Sequence, residues 1–173
     1  MEMRAFLAID IPKDIKEEIY KFQKNFKIRG IKLVEKQNLH ITVKFLGEID
    51  EETLNKILNL DLRIEPRTVK LEGLGVFPNP NYIRVIWIGV QGLVELFKEI
   101  DEKLHSLGFE KEKSYVPHLT IGRVKFIDNK KELRERIEKF EDINFGTFTV
   151  DKIKLYKSTL TPMGPIYEVI REW

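Results

Sequence analysis

Residues 39–47 of the chain read LHITVKFLG, and residues 117–124 read PHLTIGRV. Each stretch holds a histidine, an apolar residue, a threonine and another apolar residue, in a run that favours a β-strand. Alternate side chains of a strand point to opposite faces, so the histidine and threonine of each stretch are expected to share one face. The apolar residues would anchor the strand in a core, and the polar pair would project away from it.

The chain repeats its pattern around these two stretches. A strand and then a helix are predicted upstream of each histidine, and a helix and then a strand follow at about 11 and about 28 residues. The predicted strands are 4–10, 39–46, 68–76, 82–90, 118–125, 147–156 and 166–173, and the predicted helices are 12–26, 51–60, 93–109 and 129–140.

This repeat predicts a single α+β domain over residues 1–173, with sequence halves at about 1–80 and 81–173. We expect a bilobal, internally duplicated fold whose two lobes are related by a pseudo-twofold axis. Antiparallel sheets would face a central cleft, with helices outside. Such an axis would bring the two histidine-bearing strands to opposite sides of one groove.

The composition narrows the class of protein. Cysteine is absent, which excludes thiolate nucleophiles, thiolate metal sites and disulfides. The 30 basic and 28 acidic residues nearly balance, which argues against a broad surface for nucleic acid but leaves a local basic groove open. No apolar run approaches the roughly 18–20 residues of a membrane span, and the first residues do not resemble a signal peptide. We therefore expect a cytoplasmic monomer without membrane contact.

The paired histidines can support proton transfer. A neutral imidazole accepts a proton and a protonated one donates it, near an unperturbed pKa of about 6.5. His40 and His118 across a groove could therefore act on a nucleophile and on a leaving group, each role contributing roughly 10²–10⁴-fold in rate. The hydroxyls of Thr42 and Thr120 add donors to the same space, which suits a phosphate oxyanion.

Two other interpretations of the motif stay open at this point. A lone His-x-Thr on a strand is commonly structural, although two copies at equivalent positions of a repeat weaken that interpretation. A zinc site would need a third ligand. The third histidine, His105, falls on a predicted helix, and no carboxylate lies at a ligand spacing inside either motif. We expect neither a metal nor another cofactor.

Residues near the motifs are further candidates. Strict alternation turns Arg123 away from His118, unless a bulge or the strand end re-aims it toward the groove. Lys44 has the parity to face the groove beside the first histidine, or it is solvated. Tyr115 and Phe45 could stack on a base, although packing is the commoner role of a phenylalanine.

The two motifs, on a duplicated chain of this length, resemble the paired His-x-Thr-x motifs of the two-histidine phosphoesterases. The branch of closest resemblance is the RNA 2′,3′-cyclic phosphodiesterases, also called 2′-5′ RNA ligases. The opening RAFLAIDIP and the closing KLYKSTLTPMGPIYEVI resemble the ends of that branch as well. The resemblance therefore extends over essentially the whole chain.

The resemblance implies metal-independent hydrolysis of an RNA-terminal 2′,3′-cyclic phosphate to a 2′-phosphate, with tRNA halves among the possible substrates. By motif, His40 corresponds to the proton donor and His118 to the proton acceptor. Thr42, Thr120 and Arg123 correspond to phosphate-binding residues. The reverse reaction would join a 5′-hydroxyl to the cyclic phosphate and form a 2′-5′ bond.

Two alternative functions are compatible with the same cleft. The protein could hold a nucleotide or an RNA end without turnover. It could also hydrolyse a small cyclic phosphate, such as a cyclic nucleotide, in place of an RNA end.

Overall fold

The computed structural model describes residues 2–173. Within that range the strands are β1 (Met3–Ile9), β2 (Ile31–Leu33), β3 (Ile41–Ile49), β4 (Arg67–Asn79), β5 (Tyr82–Gln91), β6 (His118–Val124), β7 (Asn144–Val150), β8 (Lys154–Thr161) and β9 (Gly164–Glu172). The α-helices are α1 (Lys13–Gln23), α2 (Glu51–Leu58), α3 (Val94–His105) and α4 (Lys130–Lys139), and 3₁₀ turns cover Lys24–Phe26 and Lys36–Asn38.

The strands form two antiparallel sheets. The first has the order β3-β1-β8-β9, and the second has the order β2-β6-β5-β4-β7. In the first sheet β3, which follows His40, lies beside β1, the first strand of that sequence half. In the second sheet β6, which carries His118, lies beside β5, the first strand of the other half. The predicted α+β fold with antiparallel sheets is confirmed.

The sheets do not coincide with the two halves of the sequence. The β8–β9 hairpin belongs to the second half, yet it joins the first sheet through β1. Conversely, β4 from the first half pairs with β5 and β7 in the second sheet. Each sheet therefore needs strands from both halves, and one cluster of buried apolar side chains extends through the domain.

Local sequence explains where the helices begin and which face they bury. Asp50 accepts a hydrogen bond from the backbone N–H of Thr53 at the start of α2, and Asn129 caps α4 through Glu132 in the same way. On α1, the buried residues recur at helical spacing, at Ile15, Ile19, Phe22 and Gln23. None of the helices in residues 2–173 is long and apolar enough to cross a bilayer.

Two parts of the predicted element order are wrong. The predicted strand at 147–156 is two strands, because the chain leaves the second sheet after Val150 and enters the first sheet at Lys154. The strand β2 was not predicted, since three residues are too few to show a periodic pattern. It extends the second sheet beyond β6, beside the second histidine motif.

Candidate active site

A cleft of about 610 Å³ lies between the two sheets. We call it the central cleft. The five residues to which the sequence assigned catalytic or phosphate-binding roles all line it: His40, Thr42, His118, Thr120 and Arg123. The structure therefore brings both motifs to one space, although their chemical roles stay predictions.

Both imidazoles are held in the same way. Nδ1 of His40 lies 2.6 Å from the carbonyl oxygen of Asn38, and Nδ1 of His118 lies 2.7 Å from that of Val116. A carbonyl only accepts hydrogen bonds, which assigns the proton of the neutral ring to Nδ1. Each Nε2 is then left as the acceptor. In the first motif it accepts from the hydroxyl of Thr42 at 2.8 Å.

Aromatic rings flank each imidazole, and the sequence did not identify them. The ring of His40 packs against Phe6 and Tyr167, with centroids 5.1 and 5.4 Å away. The ring of His118 packs against Phe77 and Trp87 at 4.9 and 5.7 Å. These contacts fix the ring planes and exclude water from one side of each histidine. All four aromatic residues lie in strands, and an apolar strand pattern assigns them to a core.

One glycine makes room for this packing. A Cβ added at Gly75 on β4 would lie 2.3 Å from the indole of Trp87 on the neighbouring strand. The side chain of Trp87 can therefore lie across β4 only because that position has no side chain of its own. The one sequence signal for this packing is a glycine paired with a tryptophan on the adjacent strand. That pair can be recognised only when the strand register is known.

The environment lowers the pKa of both histidines. Burial is the main cause at His40, opposed by the hydrogen bond to Asn38 and by the charge of Asp10. Burial also dominates at His118, opposed by the hydrogen bond to the carbonyl of Val116. The guanidinium of Arg123 lowers the pKa of both rings, so one cation acts on both sides of the central cleft.

A bulge turns Arg123 toward the central cleft. In the pairing of β6 with β5, Thr120 lies opposite Trp87 and Gly122 lies opposite Ile86, so Ile121 is an extra residue. The alternation of side chains reverses at this point, and Arg123 faces the same side as the threonine. Strict alternation therefore gave the wrong face, and the bulge considered as an exception is present.

A matching bulge turns Lys44 away from the central cleft. In the pairing of β3 with β1, Thr42 lies opposite Ala8 and Lys44 lies opposite Leu7, so Val43 is the extra residue. Both interpretations of Lys44, in the groove or in solvent, are wrong, because its side chain is only 5% exposed. Phe45 takes the cleft-facing position instead and is 63% exposed.

The two bulges make the motifs differ at one equivalent position. Phe45 and Arg123 both lie five residues after their histidine, and both line the central cleft. One side of the central cleft therefore offers an apolar ring and the other a guanidinium. The two sides of the central cleft therefore differ chemically, although the strands around them follow a repeated pattern.

Gln23 stabilises the bulge in β6. Its amide nitrogen donates to the carbonyls of Ile121 and Val34, at 2.8 and 2.9 Å. The backbone N–H of Val34 donates to the same carbonyl of Ile121 at 2.9 Å. The carbonyl displaced from the β5–β6 ladder thus keeps two partners, as a buried backbone group requires.

Lys44 belongs to a buried network that links the two motifs. It forms an ion pair with Asp101 on α3 and donates to the carbonyl of Glu110 at 2.7 Å. The other carboxylate oxygen of Asp101 accepts from the hydroxyl of Tyr115 at 2.6 Å and from the N–H of Glu112 at 2.8 Å. The strand after His40 is thereby tied to the loop that leads into β6.

The same contacts explain two pKa shifts and exclude a predicted role. Burial alone would raise the pKa of Asp101, but the hydrogen bonds from Lys44, Tyr115 and a backbone amide hold it below its usual value. The hydrogen bond to Asp101 raises the pKa of Tyr115 to about 12. Tyr115 is bound within this network and does not line the central cleft, so the idea that it stacks on a base there is wrong.

The third histidine, His105, lies apart from the two motif histidines. Nδ1 of His105 donates to the carbonyl of Phe109 at 2.9 Å, at the end of α3 and outside the central cleft. In residues 2–173, no three side chains of His, Asp or Glu come together in a way that could hold a metal ion.

Comparison with known proteins identifies relatives over the full chain. The sequence profile of the family described as LigT like Phosphoesterase matches twice, over residues 9–87 and 89–167. An RNA 2′,3′-cyclic phosphodiesterase of Methanocaldococcus jannaschii is 72% identical over 173 residues, covering 99% of this chain and 100% of that protein. One of Methanothermobacter thermautotrophicus is 40% identical and covers 96% of both chains.

Solved structures agree with these matches. The crystal structure of TT0787 of Thermus thermophilus has a TM-score of 0.84 at 29% identity, covering 99% of this chain and 97% of that one. The structure of Escherichia coli LigT complexed with 3′-AMP has a TM-score of 0.81 at 26% identity, covering 100% and 98%. The double match of the family profile confirms the internal duplication, and the chain belongs to the LigT-like phosphoesterase family.

Proposed function

We propose that this protein hydrolyses the 2′,3′-cyclic phosphate at the end of an RNA and leaves a 2′-phosphate. One observation carries the proposal: two imidazoles border one cleft, and each has its Nδ1 bound to a backbone carbonyl. The names of the relatives, RNA 2′,3′-cyclic phosphodiesterases, support the substrate. The 3′-AMP complex of the E. coli protein supports a nucleotide as part of the substrate.

In the proposed reaction, water attacks phosphorus and the bond from phosphorus to O3′ breaks. Nε2 of His118 takes the proton of the water, and Nε2 of protonated His40 gives a proton to O3′. The hydroxyls of Thr42 and Thr120 and the guanidinium of Arg123 donate to the phosphate oxygens. Proton exchange with solvent then restores both rings.

The roles of the two histidines differ because their surroundings differ. His40 lies near the carboxylate of Asp10, whose charge favours the imidazolium that a proton donor must carry. No carboxylate is among the groups that shift the pKa of His118, although burial lowers the pKa of both rings. This asymmetry agrees with the assignment by family resemblance.

The same two rings would serve the reverse reaction, since microscopic reversibility requires the same donor and acceptor. A 5′-hydroxyl would replace water, and a 2′-5′ bond would form. A broken tRNA is one RNA that offers a cyclic end. The substrate in the cell, the cytoplasmic location and the monomeric state stay predictions from the sequence.

The test is product identification on an oligonucleotide with a 2′,3′-cyclic phosphate end, in excess EDTA. We expect a 2′-phosphate, identified by its resistance to a 3′-specific phosphatase and by mass. A 3′-phosphate would contradict the proposed leaving group. Intact substrate would favour a binding module, and turnover of 2′,3′-cyclic AMP with no turnover of the RNA end would favour a small cyclic phosphate as the substrate.

The lowered pKa values predict where the pH optimum lies. Since burial lowers the pKa of His40 and His118 from about 6.5, the bell of kcat/KM, which reports the free enzyme, should have its maximum below about pH 6.5. A bound phosphate anion favours both imidazolium forms, so the bell of kcat should lie at higher pH. Removing the charge in Arg123→Gln raises both pKa values and should move both limbs of the kcat/KM bell upward.

Steady-state rates between pH 4.5 and 9 test this expectation. Arg67→Gln, on the strand β4 and outside the central cleft, is the matched control and should leave both limbs in place. A kcat/KM maximum above pH 7, or limbs that move downward in Arg123→Gln, would contradict the electrostatic argument.

A further inference from the structure

A second, smaller pocket of about 120 Å³ lies between the tip of the β4–β5 hairpin, the end of β6 and the start of α4. We call it the hairpin pocket. The residues that matter here are Tyr82, Arg84, Phe126, Lys130 and Arg134, all of which line it. No histidine lines it, and the proposed hydrolysis does not use it.

The charge of the hairpin pocket is one-sided. Its lining contains three cations and, within residues 2–173, no carboxylate. The chain as a whole is nearly balanced, at a net charge of +2, so composition does not account for this local excess. In the described part of the chain, Arg84, Lys130 and Arg134 form no ion pair. Their neighbours Lys131 and Arg136 on α4 do, with Glu135 and Glu132.

Aromatic rings accompany the cations. Tyr82 is 57% exposed and Phe126 is 47% exposed, although large aromatic side chains are usually buried. The guanidinium of Arg84 lies over the ring of Tyr82, and that of Arg29 lies over the ring of Phe126. Exposed rings interleaved with unpaired cations are the features with which proteins bind single-stranded RNA, through base stacking and phosphate contacts.

The hairpin pocket and the central cleft are lined by neighbouring residues of the same two strands. On β5, Val85 lines the central cleft and the preceding Arg84 lines the hairpin pocket. On β6, Arg123 lines the central cleft and the following Val124 lines the hairpin pocket. Because Val85 and Arg123 are paired across the two strands, the two cavities lie near the same end of the β5–β6 pair, although they share no lining residue.

A cavity that continues the central cleft past His40 is less suitable for RNA phosphates. Its volume is about 570 Å³, but its lining includes the carboxylates of Asp10 and Glu35 against a single cation, Lys16. Phosphates that leave in that direction would meet like charge. Electrostatics therefore favours the hairpin pocket as the path of a nucleic acid strand.

We propose that the hairpin pocket binds the RNA strand that precedes the cyclic end, with Arg84, Lys130 and Arg134 on its phosphates and Tyr82 and Phe126 against its bases. This inference rests on the proposed function, because it names where the rest of the substrate lies. It predicts that the protein distinguishes an RNA end from a mononucleotide by contacts outside the central cleft.

The experiment compares two substrates, 2′,3′-cyclic AMP and a ten-nucleotide RNA with a 2′,3′-cyclic end. In the triple variant R84Q/K130Q/R134Q we expect kcat/KM on the RNA to fall at least about tenfold at low salt, with turnover of cyclic AMP unchanged within about twofold. The slope of log kcat/KM against log salt on the RNA should become shallower by about 2, since each phosphate contact on a single strand contributes about 0.7.

The matched control is K56Q/R67Q/K98Q, which lowers the net charge by the same three units at residues that line neither cavity. It should leave both substrates nearly unchanged. Equal losses on the RNA in the two triple variants would overturn the inference, because net charge and not the hairpin pocket would then be the cause. Equal losses on RNA and cyclic AMP in R84Q/K130Q/R134Q, or no loss at all, would also overturn it.

A binding measurement separates failure of this inference from failure of the proposed function. If the unmodified protein hydrolyses neither substrate, the proposed function fails. Fluorescence anisotropy with a labelled ten-nucleotide RNA ending in a 2′-phosphate then still tests the hairpin pocket. Weaker binding in R84Q/K130Q/R134Q than in the control variant supports it, and equal binding overturns it.

Discussion

Replacing His118 or His40 by alanine is expected to lower kcat on a 2′,3′-cyclic RNA end by about 10²–10⁴-fold, the usual contribution of one general acid or base. Both side chains border the central cleft through Nε2, so alanine removes the proton-transfer group and leaves the threonine hydroxyls in place. If the two rings act in one step, the double variant should lose much less than the product of the single losses.

The shape of the pH profile assigns the roles. A base must be unprotonated, so loss of His118 should remove the acid-side limb of the kcat/KM bell, and loss of the donor His40 should remove the alkaline limb. His105→Ala is the matched control, because it removes a histidine outside the central cleft and should keep full activity. Exchanged limbs would reverse the assignment, and full rates in both variants would end the two-histidine mechanism.

Removing one partner of the buried Lys44–Asp101 pair is expected to lower the free energy of unfolding strongly. Asp101→Asn keeps the shape of the side chain but leaves the ammonium of Lys44 with only the exposed carboxylate of Glu112, 3.4 Å away, at a site where the side chains of Lys44 and Asp101 are 5% exposed or less. Breaking such a pair typically costs about 3–5 kcal/mol of the free energy of unfolding. Equilibrium unfolding in urea at pH 7 measures the change.

Two further variants test the reason for the loss. The double replacement Lys44→Met with Asp101→Leu removes both charges and should recover part of the lost stability, as apolar substitutes for buried pairs often do. Glu95→Gln removes one partner of the exposed Glu95–Lys98 pair and should change stability by less than about 1 kcal/mol. A loss in Asp101→Asn no larger than in Glu95→Gln would contradict the importance of the network.

Much of the site was predictable because it follows from short-range pattern. A His-x-Thr phrase on a strand places both polar side chains on one face, and its repetition at equivalent positions of two halves predicts that both meet at a shared cleft. His40, Thr42, His118 and Thr120 do line one cleft. The helices were predictable for the same reason, since apolar residues at helical spacing mark the face that packs.

What the sequence could not provide depends on long-range pairing. The bulges at Val43 and Ile121 reverse the alternation in mid-strand through the pairing with a partner strand, and at Ile121 the amide of Gln23 also binds the displaced backbone. The facing of Lys44 and Arg123 follows from those bulges. No residue inside either motif indicates where the strand shifts register against its partner strand.

The flanking aromatic rings were missed for a related reason. Phe6, Phe77 and Trp87 stand in apolar strands, where packing in a core is the ordinary role of an aromatic residue. The position of the ring beside a histidine depends on the neighbouring strand, for example on the small residue Gly75 next to Trp87. The change of sheet between β7 and β8, in contrast, does leave a signal, because Asp151 and Lys152 shift the buried apolar positions from 148 and 150 to 153 and 155.

The exchange of strands between the two sheets dictates the order in which the molecule can be completed. The first sheet holds β1 and β3 from the earliest part of the chain, but β1 has its other edge open until β8 arrives about 145 residues later. Contacts so distant in sequence form slowly, since a long loop must close before they contribute. During synthesis, the β1–β3 pair, whose strand β3 begins directly after His40, therefore keeps the edge of β1 unpaired until β8 and β9 have left the ribosome. A chain stopped before residue 154 would expose that edge, and aggregation is its expected fate.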